Sequence, residues 1–487
     1  MKYLLIFILL SGLRVFSVSA QQSIFLTLDD AIREAQAASP EAQAAKHSYR
    51  SAYWNYRSFR AKYLPIVNLT AMPYLNRQIN KITQPDGTEI FLKQNQLNTD
   101  LNLEISQNIA FTGGSLFLQT SLQRMDELET SSTAYSTQPF TIGYQQSLFG
   151  YNSLKWDKRI EPVRFREVKK NYAETLELIA SKTCELFFDL ATAQANLDIA
   201  NSNYAAADTL YRYAKGRYNI GSITENEMLQ LEVNKLNEET NVMKARIEVE
   251  DALLTFKSFL GNQTDDTLKV TLHDEVPEFI IPLDEAIHQA YEHSPDIETY
   301  RRLKLESKSE LAQAKANRGL KADLYLQFGL TQTADKLKQA YKDPLNQQYV
   351  SLSIAIPILD WGRGKGKVRV AKSQVDLIET QVTQGLSDFE LNVRKLVRQF
   401  NLQSKQVAVA SRTDETAARR YEVARRLYLM GKSTVLDLNA ATTEKDTARR
   451  NHIEALKTYW TLYYTLRSLT QYDFRTRQPL SECLPEF

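Results

Sequence analysis

One segment of this chain occurs twice, and this repeat constrains the fold more than any other feature. The first copy opens with LDDAI at residues 28–32 and reaches Ser39-Pro40. The second opens with LDEAI at residues 283–287, about 255 residues later, and reaches Ser294-Pro295. Each copy continues into a helical pattern, alternating short strands and then a very long helix. Repetition of this kind predicts two similar helix–strands–helix halves.

The placement of proline predicts where the long helices lie. No proline occurs between Pro162 and Pro277, nor between Pro357 and Pro479, and a proline inside a helix costs about 3 kcal/mol. At 1.5 Å per residue, a helix of about seventy residues is roughly 100 Å long, which is too long for a compact ball. The predicted helices cover approximately residues 152–220, 223–260, 362–430 and 434–469.

Two of these helices carry apolar residues at coiled-coil spacing. Steps of four and three alternate, which is the 3.5-residue repeat of supercoiled helices. The first track consists of Leu186, Leu190, Ala193, Leu197, Ala200, Tyr204, Ala207, Tyr211, Ala214 and Tyr218. A similar track in the next helix consists of Leu229, Val233, Leu236, Met243, Ile247 and Leu254. We therefore expect both helices to pack against other helices along these tracks.

Between the helices, short segments alternate apolar and polar residues. Strands of about ten residues with one apolar face are what a membrane-spanning barrel requires, although a soluble sheet with one wet face shows the same alternation. Export and very long helices favour the barrel. The polar segments 84–98 and 129–139 are predicted to be outer loops. Six strands are predicted, with four as the alternative count, at about residues 66–75, 98–109, 115–124, 140–149, 323–332 and 349–358.

The N-terminus is typical of a secretory signal peptide. Lys2 precedes an apolar run from Tyr3 to Leu13, and small residues end the segment, so residues 1–20 are predicted to be removed on export. The run is shorter than the roughly 20 residues of a membrane-spanning helix. Without the two basic residues of this segment, the chain holds 58 basic and 58 acidic side chains. This neutral balance argues against a nucleic-acid partner recognised by bulk charge.

Together these patterns predict the domain organisation. After the signal peptide at 1–20, the first structural repeat covers 21–260, with helices at about 28–62, 152–220 and 223–260 and strands at about 66–149. A linker at 261–282 leads to the second repeat at 283–471, with helices at about 296–318, 362–430 and 434–469 and strands at about 323–358. Residues 472–487 form a C-terminal tail.

No pattern in the sequence indicates catalysis, a cofactor or a metal site. Residues 362–367 (GRGKGK) are basic and glycine-rich, but Val368 stands where a phosphate-binding loop needs serine or threonine, and the glycine spacing differs. We interpret this segment as a basic corner where a strand enters a helix. The five histidines are scattered without a cysteine or acidic cluster to complete a metal site. Cys184 and Cys483 are too few for a disulfide scaffold.

Two predicted hairpin tips share one motif. They read RYNIG at 217–221 and LYLMG at 427–431, and each has Tyr-x-x-Gly, then a threonine, then an acid at matching distances. Glycine suits such a turn because it adopts positive φ at helix ends. The shared positions are Tyr218, Gly221, Thr224 and Glu227 in the first tip, and Tyr428, Gly431, Thr434 and Asp437 in the second.

With these motifs the chain resembles the TolC-type outer-membrane efflux proteins over essentially its whole length beyond residue 20. The resemblance implies a mostly α fold with a membrane β-barrel, in which long coiled-coil helices form a periplasmic α-barrel tunnel in a homotrimer. It implies a passive channel of a tripartite efflux or type I secretion system, in the outer membrane of a Gram-negative bacterium with a large periplasmic portion, without a cofactor. Partners would be a periplasmic adaptor (membrane fusion) protein, an inner-membrane pump and outer-membrane lipid. The cargo would be drugs, ions or other exported molecules.

The resemblance also assigns roles to the tip residues. Asp437 corresponds to an aspartate ring at the tunnel constriction, and Glu227 is the matching acid of the first tip, so both are candidate pore-gate residues. The usual second ring position is Ala440 here, and a frequent gate arginine is Ser433, so the family's gate is incomplete in this chain. The candidate adaptor-docking residues are Arg217, Tyr218, Gly221, Thr224, Tyr428, Gly431, Ser433 and Thr434.

Other interpretations explain parts of the pattern. Helix capping alone accounts for the tip glycines, and the helix dipole favours an acid near a helix start without any gate. An exported structural coiled-coil envelope protein without a pore also needs long helices. A secreted enzyme on a helical scaffold is a third class, for which no residue pattern speaks.

Overall fold

The computed structural model describes residues 23–261, 267–272, 276–430 and 432–480. The predicted signal peptide, Gly431 of the second tip and the end of the predicted tail lie outside these ranges. The chain divides into two compact units. The first, here called the hairpin unit, comprises Met1–Ser48, Lys170–Ser294 and Phe389–Glu486 as far as they are described; the second, here called the sheet unit, comprises Tyr49–Lys169 and Pro295–Asp388.

The elements alternate between helices and strands in both repeats. The helices are α1 (Leu28–Ala38), α2 (Pro40–Ala61), α3 (Ser153–Asn219), α4 (Glu225–Leu260), α5 (Leu283–His293), α6 (Pro295–Arg318), α7 (Arg363–Leu429) and α8 (Val435–Thr470). The strands are β1 (Ser23–Leu26), β2 (Ile66–Thr83), β3 (Glu89–Ile109), β4 (Gly114–Glu127), β5 (Ser132–Ser147), β6 (Thr267–Val270), β7 (Lys321–Ala334), β8 (Leu345–Ala355), β9 (Tyr472–Asp473) and β10 (Gln478–Pro479). The chain is thus mostly helical with a sheet part and two similar halves, as the repeat predicts.

The helical stretch that opens each repeat is broken before its proline, so the helices predicted at about 28–62 are two, α1 and α2. α1 ends at Ala38, α2 begins at Pro40, and Ser39 between them is extended with φ −58° and ψ 148°. A proline ring pushes the preceding residue out of the helical region, whereas proline itself fits the first helical position. Ser294 separates α5 from α6 in the same way.

The sheet unit contains one antiparallel sheet with the strand order β2-β3-β4-β5-β7-β8. The sheet therefore has six strands rather than four, and β5 pairs with β7 across the two repeats. Along β3, Leu101, Leu103 and Ile105 point to one face and are 38–40 % exposed in the single chain. The residues between them are polar. Among the described helices, none is long and apolar enough to cross a bilayer.

The prediction of outer loops at 84–98 and 129–139 is wrong for most of both segments. β3 already begins at Glu89 and β5 at Ser132, so only short turns remain. The polar side chains bond within the sheet: the amide oxygen of Gln94 accepts from Gln78 at 3.1 Å and from Asn80 at 2.7 Å. A polar segment can therefore continue a strand when its backbone pairs in the ladder and its side chains bond across it.

In the hairpin unit, the alanines of the predicted α3 track are buried. Ala193, Ala200, Ala207 and Ala214 are each at most 7 % exposed. Ala200 packs in one cluster with two buried residues of α4, Val242 and Ala245. These small side chains let the two helices of the hairpin approach closely.

The predicted track on α4 does not face this core, so in the single chain it lies on the exposed side of the helix, and its packing against another helix stays a prediction. The track residues Leu229, Val233, Leu236, Met243, Ile247 and Leu254 are 46–65 % exposed. The buried residues of the same helix are Leu231, Val242, Ala245, Phe256 and Leu260. α4 thus has two apolar faces, and its exposed one is a candidate surface for another chain.

A partly buried arginine anchors the start of the predicted tail within the hairpin unit. Arg467 forms ion pairs with Glu177 at 2.9 Å and with Asp473 at 3.3 Å. The Tyr463 hydroxyl donates to Asp473 Oδ1 at 2.6 Å. Burial raises the pKa of Glu177, and its pairing with Arg467 opposes that rise. Removing one partner would leave a buried charge uncompensated, so we interpret the cluster as a structural anchor.

Candidate docking and gate site at the hairpin tips

The first hairpin tip is closed by backbone hydrogen bonds around a glycine. α3 ends at Asn219, and Gly221 follows with φ 70°. The Ser222 N–H donates to the Arg217 carbonyl at 2.8 Å, and the Gly221 N–H to the Tyr218 carbonyl at 2.9 Å. This pattern satisfies carbonyls that the helix end would otherwise leave without partners, and positive φ makes glycine the fitting residue.

The next helix begins with a reciprocal capping box. The Glu227 N–H donates to Thr224 Oγ1 at 3.3 Å, and the Thr224 N–H donates to Glu227 Oε2 at 3.0 Å. Both side chains therefore satisfy helix-start donors, and both are exposed. The acid six residues after the tip glycine thus has a local structural role.

The second tip repeats this arrangement. The Lys432 N–H donates to the Leu427 carbonyl at 2.9 Å, which is the same spacing as in the first tip. The Asp437 N–H donates to Thr434 Oγ1 at 3.1 Å, and Asp437 Oδ2 accepts from the Thr434 N–H at 3.2 Å. The same oxygen also accepts from the hydroxyls of Thr434 at 2.7 Å and Ser433 at 3.1 Å.

These bonds hold Asp437 in its charged form. The hydrogen bond from the Thr434 side chain is the main reason that the pKa of Asp437 is lowered, and the Thr434 N–H, Ser433 and the charge of Arg420 act in the same direction. The side chain is exposed. A cation-binding ring needs ionised, exposed carboxylates. The capping box keeps Asp437 ionised whether or not such a ring forms.

The two tips lie beside each other in the hairpin unit. Tyr428 of the second tip is partly buried, and burial raises the pKa of its phenol. Arg217 and Glu227 of the first tip are close enough to act electrostatically on that phenol, with opposite signs. Arg217 also lies over the Tyr213 ring at 5.9 Å. The structure therefore brings together candidate residues of both tips.

A tyrosine–lysine pair joins the two helices of each hairpin near its tip, and it was not predicted from the sequence. The Lys235 ammonium lies 5.6 Å from the centre of the Tyr211 ring, and Lys445 lies 4.4 Å from that of Tyr421. Both pairs are cation–π contacts that join the two helices of a hairpin. The matching spacing from each pair to its tip threonine was the signal that could have revealed them.

A polar cluster inside the second hairpin was not predicted from the sequence either. His452 is only 2 % exposed, and its Nδ1 lies 3.5 Å from Asp414 Oδ2. Arg449 Nη1 contacts the same carboxylate oxygen at 3.1 Å. Neither ring nitrogen of His452 hydrogen-bonds to a residue that the structure describes. The position that matches His452 in the first repeat is the buried Val242.

The profile of the family described as outer membrane efflux protein matches residues 31–262 and 286–470, which covers both repeats and both tips. The chain belongs to the outer membrane efflux protein family. No curated protein matches its sequence.

Solved structures share the fold of this efflux protein at low sequence identity. The CmeC outer membrane channel of Campylobacter jejuni has a TM-score of 0.66 at 16 % identity, with 91 % of this chain and 85 % of that one covered. VceC of Vibrio cholerae has a TM-score of 0.63 at 13 % identity, with 91 % and 95 % covered. The MtrE channel of Neisseria gonorrhoeae, solved in its open state, has a TM-score of 0.63 at 14 % identity, with 91 % and 88 % covered.

Family membership fixes the class of function. The efflux protein is an outer-membrane channel component of a Gram-negative bacterium with a large periplasmic part, and it is not an enzyme. The alternative of a structural coiled-coil protein without a pore finds no support in these comparisons.

Proposed function

We propose that this efflux protein is the passive exit duct of a tripartite efflux or type I secretion machine and works as a homotrimer. The family match over both repeats, together with two matched and exposed hairpin tips, carries the proposal. Its partners are a periplasmic adaptor protein, an inner-membrane pump and the outer-membrane lipid. Energy comes from the pump, and the duct conducts drugs, ions or other exported cargo without making or breaking bonds.

Features of the single chain support assembly into a trimer. The exposed apolar track on α4 is too long and too apolar to stay in water without a partner. α7 carries a similar exposed set, which includes Val370, Leu391, Leu402 and Val409. In the sheet unit, β2 and β8 are edge strands. Only a closed barrel or a helix satisfies every backbone group in lipid, so we propose that the sheets of three copies join edge to edge.

We propose that the two tips dock the adaptor. Arg217, Tyr218 and Gly221 of the first tip are exposed, and Tyr428 of the second tip is partly buried. The docking set consists of Arg217, Tyr218, Gly221, Thr224, Tyr428, Ser433 and Thr434, with Gly431 added from the sequence.

We also propose that Asp437 of the second tip and Glu227 of the first tip contribute to the gate. In a trimer each acid occurs three times around one axis, and a ring of carboxylates attracts cations and repels anions. The capping bonds support this role because they fix the Asp437 carboxylate and keep it ionised. Glu227 has the same box with fewer bonds, so we assign it the smaller contribution.

Export in cells tests the docking role. The gene for this chain is deleted, and resistance to a panel of toxic dyes, detergents and metal salts is measured with the gene restored as wild type or as Arg217→Ala. The matched control is Lys215→Ala, another exposed cation on the last turns of α3. We expect wild type and the control to restore resistance and Arg217→Ala to restore much less at equal amounts in the outer membrane. Full restoration by Arg217→Ala would remove Arg217 from the docking set, and a deletion without any effect would count against an efflux role.

A further inference from the structure

A rim of exposed apolar side chains surrounds the strand ends of the sheet that lead into the helices. Ile358 is 95 % exposed, Trp361 88 % and Phe111 92 %. Lys321, at the start of β7, pairs with Ala355 at the end of β8, so Leu320 and Ile356 belong to the same end of the sheet. The rim consists of Leu64, Phe111, Leu148, Phe149, Leu320, Ile356, Ile358, Leu359 and Trp361, all in the sheet unit and all at least 37 % exposed.

A basic segment directly follows this rim. Asp360 is followed by five cations before the next acid, Asp376. All five are exposed, and none forms an ion pair with another residue that the structure describes. The first turn of α7 has no acidic residue, although the helix dipole favours acids there and disfavours cations. The basic segment consists of Arg363, Lys365, Lys367, Arg369 and Lys372.

The backbone between rim and basic segment is fixed rather than loose. Asp360 Oδ1 accepts from the Gly362 N–H at 2.9 Å, and Oδ2 accepts from the Gly364 N–H at 2.8 Å. Trp361 has φ 53° and Gly362 has φ 82°, an arrangement that costs energy for a residue with a side chain. A Cβ on Gly364 would lie 2.8 Å from that Asp360 oxygen. This turn holds the Trp361 indole in solvent next to a row of cations. The folding of the chain alone does not explain this arrangement.

We propose that residues 356–372 form an interfacial anchor that selects anionic phospholipid head groups, such as phosphatidylglycerol, at the periplasmic face of the outer membrane. Trp361 and its apolar neighbours enter the boundary between acyl chains and head groups, where amphipathic aromatic rings are favoured. Arg363, Lys365 and Lys367 lie within about 6 Å along the helix axis, so they stay at head-group depth. The inference rests on the outer-membrane location of the family and needs neither the gate nor the docking role.

The charge of the segment selects this occupant over a second copy of the chain. A copy could cover the apolar residues, but the five cations, which pair with no described residue, would then require acids opposite them. Another strand–helix corner of this chain, residues 57–64, holds Arg57, Arg60 and Lys62 and no acid. Basic residues near an anionic membrane surface gain attraction that falls off within a Debye length. An anionic phospholipid can therefore cover the apolar rim and pair with the cations of the basic segment at the same time.

Fluorescence quenching in bilayers tests the anchor. Full-length protein is reconstituted into phosphatidylcholine vesicles that contain increasing amounts of dibrominated phosphatidylglycerol or, separately, dibrominated phosphatidylcholine. Subtracting the signal of Trp361→Phe isolates the Trp361 emission. We expect half-maximal quenching of Trp361 at a mole fraction about tenfold lower for dibrominated phosphatidylglycerol than for dibrominated phosphatidylcholine. The reason is that several cations attract the anionic lipid together.

Two triple variants give the comparison. Replacing Arg363, Lys365 and Lys367 with Gln should bring the two lipids to within about twofold of each other, because it removes the nearest charges. The control replaces Lys244, Arg246 and Arg398 with Gln, three exposed cations of the hairpin unit, and should keep the preference.

Three results would overturn the anchor: equal quenching by both lipids in wild type, a preference that survives the first triple variant, or no quenching of Trp361 at all. The last would show that a neighbouring copy covers the indole. A protein that conducts ions but shows no lipid preference would disprove the anchor and leave the channel proposal intact.

Discussion

Asp437 and Glu227 each complete a capping box, and this local role explains why an acid follows each tip glycine at the same distance. The gate interpretation and the capping interpretation are therefore compatible at the residue scale. They differ in what the charge does beyond its own helix, and that difference can be measured.

Asp437→Asn should weaken cation block of the reconstituted channel. Asparagine keeps an oxygen for the capping bonds but removes three charges from the proposed ring. We expect the half-blocking concentration of a trivalent cation such as hexamminecobalt to rise roughly tenfold. The control is Asp376→Asn, an exposed acid on α7 far from the tip in sequence. Equal block in the two variants would remove Asp437 from the gate.

The direction of the Asp437 pKa sets the pH dependence of that block. Because the folded-state pKa is depressed, the carboxylate stays ionised as pH falls through the ordinary aspartate value of about 3.9. Its capping contribution to stability is present above the unfolded-state pKa and is lost only as pH falls through the lower folded-state value. Block recorded between pH 7 and pH 4 should change little, and a loss of block centred above pH 5 would contradict the assignment.

His452 should be replaceable with a gain in stability. A buried ring whose nitrogens hydrogen-bond to no residue in the described part of the chain costs about 1–3 kcal/mol. Valine occupies the matching buried position 242 and leaves the Arg449–Asp414 contact in place. We expect His452→Val to raise the melting temperature of the purified protein and the reciprocal Val242→His to lower it. A lower melting temperature for His452→Val would show that the imidazole has a partner in the assembled protein.

At the element scale, α4 shows how one helix serves two surfaces. Its buried face packs in the hairpin, and we propose that its exposed apolar track contacts a second chain. Spacing in the sequence identified the track but could not tell which neighbour it meets, because periodicity records that a face is apolar and nothing about what covers it.

Leu236→Glu should therefore disrupt the trimer. It places a charge at the same point of each subunit interface, and burying an unpaired charge costs several kcal/mol. Asn237→Glu introduces the same charge one residue further on, on an exposed polar position, and should leave the trimer intact. Mass measured by native mass spectrometry in detergent distinguishes the two. Trimers of equal abundance in both variants would place the interface elsewhere.

The strands show where sequence analysis succeeds and fails within an element. The apolar band of β3 was predicted because Leu101, Leu103 and Ile105 alternate with polar residues. The polar beginning of β3 at Glu89 has the composition of a loop, since ladder pairing to a neighbouring strand leaves no local signal in the sequence. Ser39 and Ser294 show the opposite case, in which a proline one residue later, visible in the sequence, fixes the break between two helices.

For the whole molecule, the repeat is the source of both the fold and the site. The openings of the two repeats are about 255 residues apart, whereas Thr224 and Thr434 are 210 apart. The first repeat is longer because it contributes four strands to the sheet and the second contributes two. The two hairpins have the same internal spacing, so the tip residues of one could be matched to those of the other by counting along the sequence. The His452 cluster could not, because it lies where the two repeats differ.

Single-channel recording in planar lipid bilayers tests the central claim, that this protein is a passive duct. Purified full-length protein is added to one side without pump, adaptor or nucleotide, and insertion is checked in parallel by flotation with vesicles. We expect discrete conductance steps of uniform size, and we expect trivalent cations added from the periplasmic side to reduce them. Protein that floats with the membrane as a trimer and yet produces no conductance, with or without Asp437→Asn, would contradict it.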